Sequence, residues 1–364
     1  MWSESMTPGE RLGSLYGTGW ADRPGAGTFA MGLIAKMTPG LSIGECYLDP
    51  EKFARAYIRV QQTLGFDSGP MFGHASLGAA EFGGELSYPA PNSRAQSPMV
   101  RKHPIDTPEK VDAMEVPEIS KVKEVVSECK GANWVVENYP AGFNGPSIVC
   151  GSPFSLGGNA IGVEQMLLWM IEEPDLVHKV MDRMSEFLIE KAKYIVANVG
   201  PIMLFDGGPT EANDLISPKQ FETFALPYLK KVREGALKAG IPGFLCHPCG
   251  DQNGNIEMWA EAPGNFAVNF DFRTPLEKVV KVFGPKSMII GNIEPAKFQY
   301  SDYDYIYKTT MDYMKIAATN CPHGYMVGPG CEIPTDTPAL HVGAMLQATR
   351  DYAQSKEWQE RRPR

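Results

Sequence analysis

Gly243-Phe244-Leu245-Cys246-His247 is a short apolar run that ends on a residue able to do chemistry, and it is one of a series. The same form recurs as Ser147-Ile148-Val149-Cys150, Ile202-Met203-Leu204-Phe205-Asp206, Phe266-Ala267-Val268-Asn269-Phe270-Asp271, Met288-Ile289-Ile290-Gly291-Asn292 and Tyr325-Met326-Val327-Gly328. An earlier member is Ser68-Gly69-Pro70-Met71-Phe72-Gly73-His74. Long amphipathic segments lie between them. Continuous apolar runs separated by helices describe parallel strands covered on both faces, which have no solvent side to alternate with. Seven such strands without a dinucleotide-type glycine fingerprint favour an α/β fold of the (β/α)8 TIM-barrel type over a doubly wound open sheet. The eighth strand is expected in a stretch whose pattern is not legible.

Outward from these runs, the N-terminal part reads as helices. Thr7-Pro8-Gly9-Glu10 combines an N-cap, a proline at the first helical position and a capping-box glutamate. Asp49-Pro50-Glu51 opens a second helix through Phe53, Tyr57, Val60 and Leu64, which Gly65 ends. The expectation is one domain over 1–364, with an N-terminal helical extension over 1–65 and the barrel over 66–355. Residues 84–104, rich in Pro, Ser and Asn, read as a long surface loop.

At 364 residues, with 43% apolar and 21% charged, the chain can bury a large core without disulfide staples. Its formal charge of −9 argues against a nucleic-acid partner, since the longest basic cluster is the terminal Arg361-Arg362-Pro363-Arg364. No apolar run approaches the roughly 20 residues a membrane span needs, and Met1-Trp2-Ser3-Glu4 is no secretory start. A cytoplasmic protein is expected. Seven cysteines, an odd number, suit thiols in a reducing compartment better than a disulfide framework.

Barrel chemistry sits at the C-terminal ends of the strands. There the chain puts His247-Pro248-Cys249 and, past the last strand, Gly328-Pro329-Gly330-Cys331. In extended backbone residues i and i+2 point the same way, so His247 and Cys249 can face one ion. The glycines let a second loop turn sharply and bring Cys331 to the same mouth. One imidazole and two thiolates suit zinc, and three protein ligands leave the open position of a catalytic site. Cys246 competes as a ligand, although strand alternation turns it into the barrel wall. On spacing alone, a reading of these residues as hydrogen-bonded core side chains stays open.

These residues resemble the uroporphyrinogen-decarboxylase-like superfamily, in its cobalamin-dependent methyltransferase branch. That branch contains methylcobamide:coenzyme M methyltransferases and the methyltransferase I components of corrinoid O-demethylases. His247, Cys249 and Cys331 match its His-x-Cys motif with a distant cysteine. Met6-Thr7-Pro8-Gly9-Glu10-Arg11-Leu12 with Asp22-Arg23-Pro24, His103-Pro104-Ile105, Leu215-Ile216-Ser217-Pro218-Lys219-Gln220-Phe221 and Gly330-Cys331-Glu332-Ile333-Pro334 also resemble it. The arginine-rich start with which uroporphyrinogen decarboxylase grips porphyrin carboxylates is missing.

The resemblance implies a zinc-dependent methyltransferase whose cobalt is carried by a separate corrinoid protein. A pocket rich in aromatic residues suits a methoxylated aromatic ether as substrate. A thiol methyltransferase of the coenzyme M type is the alternative, with Arg273 the one arginine placed to meet a sulfonate. A metal-independent lyase of the decarboxylase type comes third. A non-catalytic zinc or corrinoid-binding module is less expected, because the histidine signature of cobalamin carriers is missing. Asp206 and Glu211 are candidates for an acid or a fourth ligand, and Phe72, Phe205, Asn213 and Tyr325 for substrate contacts. His74 is a candidate for contact with substrate or corrin, and Asn292 is carried over from a strand-end motif of the family as a pocket residue.

Overall fold

Parallel strands β1 (Gly25–Ala26) and β2 (Met71–Phe72) are followed by an antiparallel hairpin, β3 (Glu85–Ser87) and β4 (Met99–Lys102). Six more parallel strands come after it: β5 (Ser147–Val149), β6 (Met203–Asp206), β7 (Phe244–Cys246), β8 (Asn265–Asn269), β9 (Met288–Ile290) and β10 (Tyr325–Val327). The structure, a computed structural model, describes residues 3–139 and 142–363. Met1 and Trp2 of the chain start and Arg364 of the basic tail lie outside the described residues. The eight parallel strands run in the order β1-β10-β9-β8-β7-β6-β5-β2. The Asp67 N–H donates to the Ala26 carbonyl (2.6 Å), and the Thr28 N–H to Ser68 Oγ (3.1 Å), so backbone leading into β2 seats against β1 and the sheet curls round into a barrel. All seven strands expected from the apolar runs are present. The eighth is β1, a Gly-Ala pair set among the N-terminal helices, which carries no apolar run.

Helices follow the strands and form the outer layer, among them Pro50–Leu64, Lys123–Asn138, Pro174–Asn198, Leu226–Ala239, Tyr303–Ala317 and Ala339–Ala353. Thr7 and Glu10 form the expected capping box on helix Pro8–Thr18. Asp49 caps helix Pro50–Leu64, and Gly65 ends it at φ +90°, where a side chain would be strained. The 84–104 stretch departs from the expected loop, since the hairpin pairs Leu86 with Val100 there. Its strands are short and mostly exposed, so they carry no alternation of apolar and polar residues. All seven cysteines are free. Among the described residues no helix is long and apolar enough to cross a membrane.

Helix Pro8–Thr18 is fixed at the N-terminal end of the barrel by buried ion pairs. Arg11 meets Asp67 at 2.6 Å and Asp22 at 2.7 Å, and Arg23 meets Asp67 at 2.7 Å. Asp67 also accepts from the Ala26 N–H, so the same carboxylate joins both arginines to β1. Burial tends to raise the Asp22 and Glu4 carboxyls, but the nearby guanidiniums outweigh it and hold both below their ordinary values of 3.8 and 4.5. A carboxylate with a depressed folded pKa stabilises above its unfolded pKa, and that contribution is lost as pH falls through the folded value. Below about pH 4, therefore, helix Pro8–Thr18 and β1 should lose hydrogen-exchange protection before the other barrel strands do. Asp22→Asn should weaken this acid dependence. Uniform loss across all strands would contradict it.

Candidate functional site

A cavity of about 780 Å³ occupies the barrel lumen. Strand residues reach it by alternation. Met203 and Phe205, Leu245 and His247, Met288 and Ile290, and Met326 line it. Their neighbours Leu204, Asp206, Phe244, Cys246, Ile289, Tyr325 and Val327 are buried on the other side, against the helices. The register carries the parity from strand to strand, pairing Phe205 with Leu245 and Asp206 with Cys246.

His247, Cys249 and Cys331 converge at the C-terminal mouth, with their ligand atoms all within 4.8 Å of one another. His247 Nε2 lies 3.1 Å from Cys249 Sγ, and its Nδ1 lies 3.0 Å from the Asn269 carbonyl. A carbonyl only accepts, so Nδ1 carries a proton and Nε2 faces the thiols. Burial works to lower the imidazole pKa, but the hydrogen bond and charge of Cys331 outweigh it and raise it. The rings of Phe29 and Phe205, each with its centroid 5.4 Å from that of the imidazole, flank it. Behind His247, Gly207 has φ +107°, and a Cβ there would strike the His247 backbone.

The cysteine loop is held in the same way. Asn269 Nδ2 donates to the carbonyls of Ile290 (3.1 Å) and Pro329 (3.2 Å), and the Gly330 N–H donates to the Ile293 carbonyl (2.8 Å). Gln252 Nε2 donates to the Cys249 carbonyl at 2.7 Å. Asn269 therefore steadies the histidine and the Cys331 loop at once. Hydrogen bonding from Cys249, then from His247, holds the Cys331 thiol well below its usual range, and Cys249 is pushed up in turn by that interaction and by burial. One imidazole nitrogen and two thiol sulfurs within one ion's reach fit zinc.

Of the other expected site residues, Phe205 and His74 line the cavity. His74 Nδ1 has no hydrogen-bond partner, and burial, with Lys191 nearby, lowers its pKa to about 4, so the ring is neutral. Phe72 departs from expectation. It faces the helix layer, where its ring lies 5.9 Å from that of Phe53, while its neighbour Met71 lines the lumen. Tyr325 is fully buried, and its hydroxyl donates to the Gly291 carbonyl. Asp206 forms a buried ion pair with Arg233 at 2.6 Å, on the helix side of its strand. Glu211 accepts from the Ser152 and Ser155 hydroxyls, and of these three only Ser155 lines the cavity. Asn213 accepts from the Gly254 N–H (2.8 Å), and Asn292 donates to the carbonyls of Asp271 (3.1 Å) and Thr274 (2.8 Å), so both brace loops outside the cavity wall. Arg273 pairs with Asp214 on the rim.

Phe29, Met31, Tyr47 and Glu332 complete the mouth and were not singled out from sequence. Glu332 accepts from the Gly32 N–H (3.4 Å), and burial, then the charge of Cys331, pushes its carboxyl up to about 8. Its place directly after Cys331 was the available signal. The parity gives a mutational contrast. Phe72→Ala should cost about 3–5 kcal/mol of stability with ligand affinity unchanged. Phe205→Ala should weaken ligand binding with a smaller loss of stability. Chemical denaturation and calorimetric titration would separate the two.

The family model for uroporphyrinogen decarboxylase (URO-D) matches residues 24–352. A methylated-thiol--coenzyme M methyltransferase from Methanosarcina mazei is 24% identical over 201 residues, covering 55% of this chain and 51% of that protein. The methylcobamide:CoM methyltransferase MtbA of the same organism is 24% identical over 361 residues, covering 95% of this chain and 98% of that protein. The chain thus spans about half of the first relative and nearly all of the second. Uroporphyrinogen decarboxylases are matched over stretches like the first. A solved structure, a methyltransferase from Methanosarcina mazei, superposes with a TM-score of 0.80 at 18% identity, covering 96% of this chain and 99% of that one, and so has the same fold.

Proposed function

The chain belongs to the uroporphyrinogen decarboxylase family, and from that membership and its mouth chemistry we propose that it is a zinc-dependent methyltransferase. It moves a methyl group between a small neutral substrate, a methoxylated aromatic ether, and the cobalt of a corrinoid held by a partner protein. The observation that carries this reading is the convergence of His247, Cys249 and Cys331 within 4.8 Å, at the opening of a largely apolar cavity.

His247 Nε2 and the sulfurs of Cys249 and Cys331 would hold the zinc. Bound there, zinc supplies Lewis acidity toward a substrate oxygen or sulfur, which makes that atom a better leaving or attacking group. The protein's part is orientation and exclusion of water. Asn269 fixes the imidazole and the cysteine loop, Phe29 and Phe205 shield the ring, and the neutral His74 offers a free ring nitrogen to a polar substituent.

Among the described residues no lysine or arginine lines the cavity. That supports a neutral ligand, since a buried carboxylate or sulfonate without a cation is costly. The same point disfavours a tetrapyrrole with many carboxylates. The thiol reading keeps support from the names of the relatives, two of which are coenzyme M methyltransferases. One assay decides between them. The protein is mixed with a Co(I) corrinoid protein and guaiacol-type ethers, or with methylcobalamin and thiols. Release of the phenol in the first mixture is the expected result, and methyl transfer only in the second would overturn the ether assignment.

A further inference from the structure

A TIM barrel ordinarily fills its lumen with layers of bulky branched side chains. This one does not. Inward positions are small at Gly27, Ser147 and Ala267 and flexible at Met203, Met288 and Met326, and all six line the cavity. The cavity continues past them to the N-terminal face. There its wall includes Gly13 of helix Pro8–Thr18 and three residues that precede strands, Gly145, Pro201 and Pro242. All four are solvent-exposed. Just inside, Tyr16 and Phe266 stack with ring centroids 4.0 Å apart and present an aromatic wall to the same space.

We propose that the barrel axis is a second ligand subsite, for the apolar tail of an elongated neutral substrate, and that it opens on the face opposite the metal mouth. Resting on the function proposed above, the reacting methoxy group sits at the thiols while a substituent across the ring runs down the lumen. Methionines adapt to an apolar chain of varied shape. Among the described residues none closes the far end, so none limits the length of the tail. The opening also leaves a route for substrate and product when a partner covers the C-terminal mouth.

Calorimetric titration with guaiacols carrying a 4-methyl, 4-propyl, 4-hexyl or 4-decyl chain tests this, with the matching alkylbenzenes as a second series. In the wild-type protein each methylene that enters the lumen should tighten binding by up to about fourfold. Binding should then level off, and the decyl compound should still bind. Among the described residues a Cβ at Gly13 or at Gly145 meets nothing within 4 Å, and neither backbone needs positive φ. Gly13→Trp and Gly145→Trp should therefore fold and narrow the far opening. Being on separate elements, one serves if the other fails to fold. Each should lose at least tenfold in affinity for the decyl compound and keep the 4-methyl affinity within twofold.

A wild-type protein that rejects chains beyond some length would overturn the proposal. So would tryptophan variants that treat all lengths alike, or absence of binding in both series. The alkylbenzenes carry no methoxy group. A length-dependent affinity in that series upholds the subsite even if the ethers are never turned over, which separates its fate from that of the ether assignment.

Discussion

Cys331→Ser is expected to strip the metal and abolish methyl transfer while leaving the barrel folded. Cys331 is only half-buried and sits on a loop held by the backbone contacts of Gly330 and by Asn269, none of which needs the sulfur. Among the described residues its loss leaves only His247 and Cys249 in the cluster. Even outer contacts to metal ligands are worth about 10- to 100-fold in affinity, so loss of a ligand should cost at least about 100-fold. Elemental analysis of the purified variant should find almost no zinc, with the circular dichroism spectrum unchanged. Cys246→Ser is the control. That thiol lies on the helix side of its strand beside Arg233 and Asp206, so this variant should keep its zinc. Zinc retained by Cys331→Ser, or lost from Cys246→Ser, would contradict the ligand assignment.

The second large effect is on stability. Asp206→Ala leaves the Arg233 guanidinium buried beneath the sheet without its carboxylate. Asn265 Oδ1 at 2.7 Å and the Pro263 carbonyl at 3.2 Å remain, and they neutralise none of its charge. Removing one partner of a buried pair typically costs about 3–5 kcal/mol. The urea midpoint should fall accordingly, with zinc content and ligand affinity of the folded protein preserved. A double change, Asp206→Leu with Arg233→Met, removes both charges and should recover much of the loss. If Asp206→Ala left stability intact but halted turnover, the residue would belong to the chemistry after all.

Asp206 also shows where reading the sequence stopped short. The apolar runs announced every barrel strand but β1, and their polar ends gave the C-terminal mouth. The His-x-Cys spacing and the glycine-rich cysteine loop pointed to the convergence of His247, Cys249 and Cys331, because the ends of two strands are a local property of the chain. What failed was parity. Alternation turned Cys246 into the wall, and the same rule applied along β6 turns Asp206 outward and Phe205 inward. Applied at β2 and β10, it turns Phe72 and Tyr325 away and leaves Met71 and Met326 in the lumen. The parity of each strand depends on its register with the next, a long-range fact that a single run does not contain. The wall made by Phe29, Met31 and Tyr47 was hidden for a different reason. It comes from the segment around β1, where a Gly-Ala strand carries no apolar run. The open lumen was legible only after the inward set was known, since Gly27, Ser147 and Ala267 are unremarkable one at a time.

On the proposed function, one imidazole and two cysteine sulfurs hold one ion at the barrel mouth. X-ray absorption at the zinc edge of the purified protein tests it most directly. The expected spectrum has two sulfur ligands near 2.3 Å and lighter donors at about 2.0–2.1 Å, for one zinc per chain. A shell of nitrogen and oxygen alone, or a protein that takes up no zinc while correctly folded, would contradict it.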